Sequence, residues 1–488
     1  MALDITTCPQ LPTEQSRRRA EHQSLRSRMG NGLWLPDLER ALTKHIRSER
    51  REAWGIAELS RNPHRSLTNQ IGGALYQAPP KVRGNDASAD VLKAVEAAGY
   101  WQLMQRVSTD LVGLREGIVR VDWTERGGLL HRPVPVELTH VEAVPEAPDV
   151  PALIEEIQER VDPDTGRPAW AWEVLDVRDL GDPKHMILSA NRQKDWTKAF
   201  LGKEPKSGAG YQYRDLAGKP YMPAALYHAE RTGRLWDSYY GLEAVLGTLT
   251  MGVLLTFWIH GVKDGSFVTV ALVNGRIAGL EVETTGANGV TSTIRTNVIS
   301  VEPGSFIEVT PIADGVQPQI IQLQPGFDPE KLMAAIGMFE SGLAEYAGVS
   351  PADLVRTGAD PRSGASLSIS RQGLRSAQAR YEPQLRRGDL EVLAISARVL
   401  NHATGKNYPE QPSDYSISYP SLPLSADEVK AQREDILAKT AAGLMSKVDG
   451  HMLLNPGFDR SQAIADLQRI QRENALFPTT APTPTPFA

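Results

Sequence analysis

Four arginines are the side chains of this sequence best suited to meeting a ligand. Arg356 and Arg362 stand in a polar stretch between two helical segments, and Arg371 and Arg375 share one face of the helix that follows. Guanidinium groups in this setting suit transient contact with phosphates, through charge and without reading bases. A structural role is the alternative: a solvated face, or ion pairs with Glu340, Glu345, Asp353 and Asp360. A second marked feature is Asn274-Gly275, set between apolar runs at 267–273 and 276–282. That pattern predicts a two-residue hairpin turn, because both turn positions need positive φ.

Covalent chemistry finds little support. The stretch Thr404-Gly405-Lys406-Asn407 lacks the upstream glycine and the Ser/Thr of a phosphate-cradling loop, which argues against an ATP-driven motor. His-Glu-x-x-His is absent, and the ten histidines show no metal-ligand spacing. Ser363-Gly364-Ala365-Ser366 is no nucleophile elbow. His228, Glu230 and Asp237 read as ordinary polar residues near a strand end. The aromatic pairs Tyr239-Tyr240 and Phe257-Trp258 read as core or interface anchors. The expectation is a protein that is not an enzyme, with no cofactor and no metal.

The elements around the arginines are well marked. Asp328-Pro329-Glu330 has the cap, the first-turn proline and the acidic residue of a helix start. Leu332, Ile336, Phe339, Leu343 and Tyr346 form its stripe, and Gly348 its stop. After the polar stretch 349–364, a longer helix carries Leu374, Ala377, Tyr381 and Leu385, then Leu390, Leu393, Ala397 and Leu400. Pro383 between the two stripes predicts a kink. Upstream, 244–259 contains no charged residue. It is too short and too rich in Thr and Gly for a membrane span, so a helix packed in protein is expected over 242–260. Between these helices lies a β-rich module.

At 488 residues the chain has room for roughly three domains. A hydrophobic fraction of 41% and a charged fraction of 23% suit a soluble globular protein, and a net charge of −6 gives no footprint for tight DNA binding. The single Cys8 excludes an intrachain disulfide framework. Residues 1–29 are polar, lack an apolar signal core and read as disordered, as does the proline-rich tail 476–488. Helical character over 34–62 and 88–115 frames the turn-rich Tyr76-Gln77-Ala78-Pro79-Pro80. A hairpin is predicted over 117–138 and a Pro- and acid-rich loop over 144–152. Further strands are expected at 170–177, 186–189, 212–214 and 224–228. A Pro/Ser-rich linker at 407–423 precedes a helical C-terminus, with capping boxes at Ser425/Glu428 and Asp459/Gln462. The fold class is α+β.

In order of parts, the chain resembles a tailed-bacteriophage portal protein over most of 70–475. The residues that carry the resemblance are Tyr76-Gln77-Ala78-Pro79-Pro80, Thr232-Gly233-Arg234-Leu235-Trp236, the helix of 242–260 with Lys263-Asp264-Gly265-Ser266, Pro325-Gly326-Phe327-Asp328-Pro329, the 348–370 junction, and 444–473 with Asn455-Pro456-Gly457. The resemblance implies a wing at 30–239 and 365–423, stem helices at 240–262 and 328–348, a clip at 263–327, a tunnel loop at 349–364 and a crown at 424–475. It also implies a dodecameric ring of this chain at one capsid vertex, a conduit for genome packaging and ejection. The implied partners are the terminase large subunit, head–tail connector or adaptor proteins, capsid and scaffold proteins, and double-stranded DNA passing through without sequence-specific contact. No membrane is involved, and the location would be the virion, with the host cytoplasm during assembly. In that frame Arg356, Arg362, Arg371 and Arg375 would be channel contacts, and Asn274-Gly275 a clip turn. A different ring-forming head–tail adaptor, or a nucleic-acid-processing enzyme, remains as an alternative class.

Overall fold

The computed structural model describes residues 8–30, 33–46, 58–124, 126–202, 206–230, 233, 235, 242–266, 269–273, 275–277, 280–285, 291–296, 309–311, 317, 319–323, 328–346, 349, 364–420, 426–455 and 458–476. The chain starts with α1 (Thr13–Met29), α2 (Leu35–Leu42) and α3 (Pro63–Leu75). Then come β1 (Lys81–Gly84), α4 (Ala89–Ala97), α5 (Tyr100–Leu114), β2 (Glu116–Thr124), β3 (Gly128–Val134), β4 (Thr139–Val144), β5 (Ala147–Val161), β6 (Pro168–Asp176) and β7 (Lys184–Ser189). After α6 (Thr197–Leu201), β8 (Lys206–Ser207) and β9 (Ala224–His228) runs α7 (Leu242–Ser266). The β module holds β10 (Thr269–Val273), β11 (Gly275–Ile277), β12 (Leu280–Thr285), β13 (Thr291–Thr296), β14 (Val309–Pro311) and β15 (Gln319–Leu323). Then follow α8 (Pro329–Tyr346), α9 (Gly364–Thr404), β16 (Tyr415–Ser418), α10 (Ala426–Ala441), α11 (Lys447–Leu454) and α12 (Arg460–Leu476). The fold is α+β.

Two antiparallel sheets, ordered β3-β2-β9 and β4-β5-β6-β7-β8, make up the first half, and β1 pairs β16 across the length of the chain. The main core joins α3, α4, α5, β2 and β9 to α9, through Leu111, Val119, Tyr227, Leu385, Leu393 and their neighbours. Both predicted stripes of α9 are therefore used, Leu374 and Leu390 at its margin and the rest inside. Pro383 does not interrupt this helix. Pro383 and Ala379 are both exposed, so the carbonyl that loses its helical donor faces water.

Four expectations are corrected. Residues 8–29 of the expected disordered arm are ordered. From Thr13 they form a helix that buries Arg18, His22, Leu25 and Arg28 along one face. Arg18 donates to the carbonyls of Val136 (3.1 Å) and Thr139, and His22 Nε2 lies 3.1 Å from Glu116 Oε2. Burial lowers the Arg18 guanidinium to about 10, with Glu116 and Glu137 opposing the fall. A helix held by its polar groups leaves no apolar stripe to read. The loop expected over 144–152 is the turn and first half of a hairpin, with Val144 opposite Ala147 and a register shift near Ala143 that accommodates the prolines. The linker at 407–423 contains β16, whose partner lies more than 300 residues upstream. Finally, residues 212–214 supply only an isolated bridge, Arg214 to Pro220, and no strand.

The β module departs most. β10 pairs with β15, β11 with β14 and β12 with β13, three antiparallel pairs nested one inside the next. Among the described residues, no pairing joins the strands on either side of Asn274-Gly275, so the hairpin expected there has no ladder in them. Asn274 itself lies outside the described residues, and Gly275 opens β11 opposite Pro311. The local turn signal is outcompeted by non-local pairing of both flanking strands. The innermost pair, Thr285 opposite Thr291, brackets residues 286–290, which include a second Asn-Gly, Asn288-Gly289.

Candidate functional site: the paired helices and the long helix

The helices that flank the β module are antiparallel neighbours. Asp328 Oδ1 accepts from the amides of Glu330 and Lys331, both at 3.1 Å, which caps α8 as its sequence predicts. These bonds hold the Asp328 carboxyl below its usual range. Ile336, fully buried, packs on Met251 and Leu255 of α7, with Leu332, Met333 and Leu343 beside it. Trp258 Nε1 donates to Pro329 O at 3.2 Å. At Gly247 a Cβ would come within 2.7 Å of Leu343 Cδ2, so the glycine is what lets the helices meet closely. Phe339, assigned to the buried stripe by spacing, is 37% exposed. Its place is taken by Glu340, which pairs with Arg61 at 3.2 Å.

The opposite flank of α7 is covered by the N-terminal region. Trp34, Leu38, Leu42 and Ile46 bury against Val253, Leu249 and Phe257. A Cβ at Gly252 would lie 2.9 Å from Leu38. Thr256 Oγ1 accepts from the Glu58 amide at 3.0 Å and donates to Gly252 O at 2.7 Å, so its hydroxyl is satisfied inside the helix packing. Most of the apolar surface of α7 is thus covered within one chain. Among the described side chains, what stays exposed is smaller: Leu246 (53%) and Ile259 on α7, and Met338 (78%) with Phe339, Ala334, Ala335 and Gly342 on α8. Among the described residues no helix is long and apolar enough to cross a membrane.

Of the four arginines, Arg356 and Arg362 lie outside the described residues. Arg371 and Arg375 are one turn apart near the start of α9, and Arg375 is half-buried. Val349, at the far side of the gap from α9, is buried in the main core. The ends of the polar stretch are thus fixed by packing: α8 on α7, and α9 on the sheet. Of the three polar residues weighed near the β9 end, Glu230 pairs with Arg115 at 3.1 Å and with Arg380, His228 ends β9, and Asp237 lies outside the described residues.

Sequence reading missed two polar clusters inside the fold. Glu173 on β6 receives Arg120 (2.6 Å), Arg160 (2.8 Å) and His185 (3.0 Å), and ties the two sheets together. Burial alone would raise this carboxyl, yet Arg120, His185 and Arg160 together hold it well below the usual range. Asp389 on α9 receives the hydroxyls of Tyr76, Tyr100, Tyr227 and Tyr419. Neither cluster has a sequence signature, since its members come from strands and helices far apart in the chain. Arg120 and Asp122 alternating with apolar residues on a strand was the available hint.

No known protein family and no curated protein matches this sequence. A solved structure to which the chain is similar is the neck of an empty GTA particle computed with C6 symmetry. The likeness has 11% sequence identity and a TM-score of 0.42, and covers 82% of this chain and 95% of that one.

Proposed function

We propose that this chain is a structural subunit of a tailed-phage head–tail connector of the portal kind, without a catalytic role. One observation carries the reading: a β module of nested antiparallel pairs leaves and re-enters the chain through two antiparallel helices, α7 and α8. A polar stretch then leads to the 41-residue helix α9, and a run of three helices closes the described chain. In this reading the β module is a tip, α7 and α8 a shaft, and the sheet region a body of one subunit. The exposed apolar and small residues of α8 support assembly, because a ring offers each such face a neighbour and closes. A chain of net charge −6 suits a conduit along which DNA slides, since strong phosphate binding would hold it in place.

In this reading the subunits ring a capsid vertex, the β module meets terminase and later the neck proteins, and residues 349–364 stand at the bore. Electron microscopy of the purified full chain is the test, with sedimentation velocity beside it. Closed rings with a central hole are expected. A protein that sediments only as a monomer at micromolar concentration, at low and high salt, would overturn the proposal. Arg356→Ala with Arg362→Ala should leave rings intact and alter DNA retention, by an amount that shrinks as salt rises.

A further inference from the structure

Asp389 is completely buried in the middle of α9, yet it forms no ion pair among the described residues. Its partners are four phenols from four places in the chain. Oδ2 lies 2.7 Å from the hydroxyl of Tyr76, which follows α3, and 2.6 Å from that of Tyr419, which follows β16. Oδ1 lies 2.7 Å from the hydroxyl of Tyr100, the first residue of α5, and 2.9 Å from that of Tyr227 on β9. The hydroxyl oxygens of Tyr100 and Tyr227 are themselves 2.7 Å apart. Gly388 makes room for this approach: a Cβ there would sit 2.2 Å from the Tyr227 ring.

The hydrogens can be counted. Oδ1, the Tyr100 oxygen and the Tyr227 oxygen form a triangle with three short edges, and each edge at such a distance needs a hydrogen between its oxygens. Each phenol has one. Two phenols supply two hydrogens, so an ionised carboxylate leaves one edge as bare oxygen against oxygen. A hydrogen on Oδ1 closes the ring: the acid donates to one phenol, that phenol to the other, and the second back to the acid. We propose that Asp389 is a neutral carboxylic acid in the folded protein, and that its proton latches α9 to the helices and sheet around it.

The surroundings agree. Burial pushes the Asp389 carboxyl above its usual range, although the four phenols pull the other way. Burial also pushes all four phenols up, so they keep their hydrogens. The His131 ring of β3 lies tilted against the Tyr100 ring, centroids 4.8 Å apart, and meets Ser396 of α9 at 3.0 Å. Burial takes His131 down to about 4, so it brings no charge at neutral pH. Arg386, one turn before Asp389 on α9, faces Tyr419 and is paired with Glu382. A carboxyl raised in the folded state stabilises fully below the unfolded range, and that contribution is lost as pH rises through the folded value.

Infrared spectroscopy of the full chain labelled with carboxyl-13C aspartate tests this. One labelled aspartate should keep the carbonyl band of a protonated acid at neutral pH, and Asp389→Asn should abolish it. If the variant does not fold, the wild-type spectrum still decides, because Asp389 is the one aspartate among the described residues that is buried. Unfolding at about pH 8.5, above the range in which the buried histidines take up protons, should also release one proton, read from calorimetry in buffers of different ionisation enthalpy. A folded wild-type protein whose labelled aspartates are all carboxylates at neutral pH would overturn the proposal, as would unfolding without proton release.

Discussion

The sheet region and the C-terminal helices bury side chains in opposite ways. In the sheet region, charges are inside: Arg120 and Glu173 between the sheets and Glu155 on the other face of β5 are all under a tenth exposed, and each has an opposite partner, while His185, which burial keeps neutral, hydrogen-bonds Glu173. Arg192 accepts a left-handed backbone (φ 58) there, fixed by two 2.8 Å bonds to Glu155 and by stacking on Trp172. In α10, α11 and α12 the interior is little more than Ile436, Gly450 and Ala463, while Leu437 (61%), Leu453 (51%) and, in the turn between α10 and α11, Leu444 (81%) face out. The sheet region buries charges with their partners. The C-terminal helices leave apolar surface that a neighbouring subunit would cover under the proposed function.

The contrast can be broken most forcefully at Glu173. Glu173→Gln leaves Arg120 with Asp122 (3.0 Å) as its remaining carboxylate and takes the charged partner from Arg160, and should cost about 3 kcal/mol in denaturant unfolding, the low end for breaking a buried pair. Because the folded carboxyl lies well below the unfolded one, its stabilisation is present above about pH 4.3 and fades as pH falls through the folded value. The variant should therefore show a flatter acid limb. An equal loss at pH 7 and at pH 3 would contradict the ion-pair account.

Two buried histidines come next. Burial lowers His64 and His131 to about 4 each, with Arg28 adding to the effect at His64. Both are neutral when folded and take up protons when unfolded, so their stabilisation is full above about pH 6.5 and drains away down to about 4. The size is on the order of 3 kcal/mol each. Thermal melts of His64→Gln should lose part of this slope between pH 6.5 and 4, and an unchanged slope would remove His64 from the account.

Smaller effects belong to the C-terminal helices. Ser446 Oγ accepts from the Asp449 amide at 3.0 Å at the start of α11, and Ser446→Ala should cost about 1 kcal/mol. Leu444→Ser should change the stability of the isolated subunit by no more than about 0.5 kcal/mol, since the side chain is already exposed. The same variant should weaken assembly, measured as a rising monomer fraction on dilution. If Leu444→Ser lowers the subunit melting temperature as much as Glu173→Gln does, the two regions do not differ as described.

Legibility followed the range of the interactions. The caps at Asp328 and at Asp459, where Gln462 and Asp459 bond reciprocally, involve neighbours along the chain and were readable. So were both stripes of α9 and the hairpin of β2 with β3, because helical and strand periodicity report which face is apolar. Glu340 in place of Phe339 was not, since a buried carboxylate depends on Arg61, nearly 280 residues away.

The sequence by itself determined the local elements: where helices begin, which stretches alternate as strands, and that an uncharged helix, a β module and a long helix follow one another. Tertiary structure decided what each met. It paired β10 with β15 across the Asn274-Gly275 signal, because five non-local backbone pairs outweigh the preference of one two-residue turn. It folded the arginine-rich N-terminus into α1, because Glu116 and the carbonyls of Val136 and Thr139 wait in the main body to receive its cations. And it gathered four tyrosines from across the chain around Asp389, where each bond is short only because every other element is already in place.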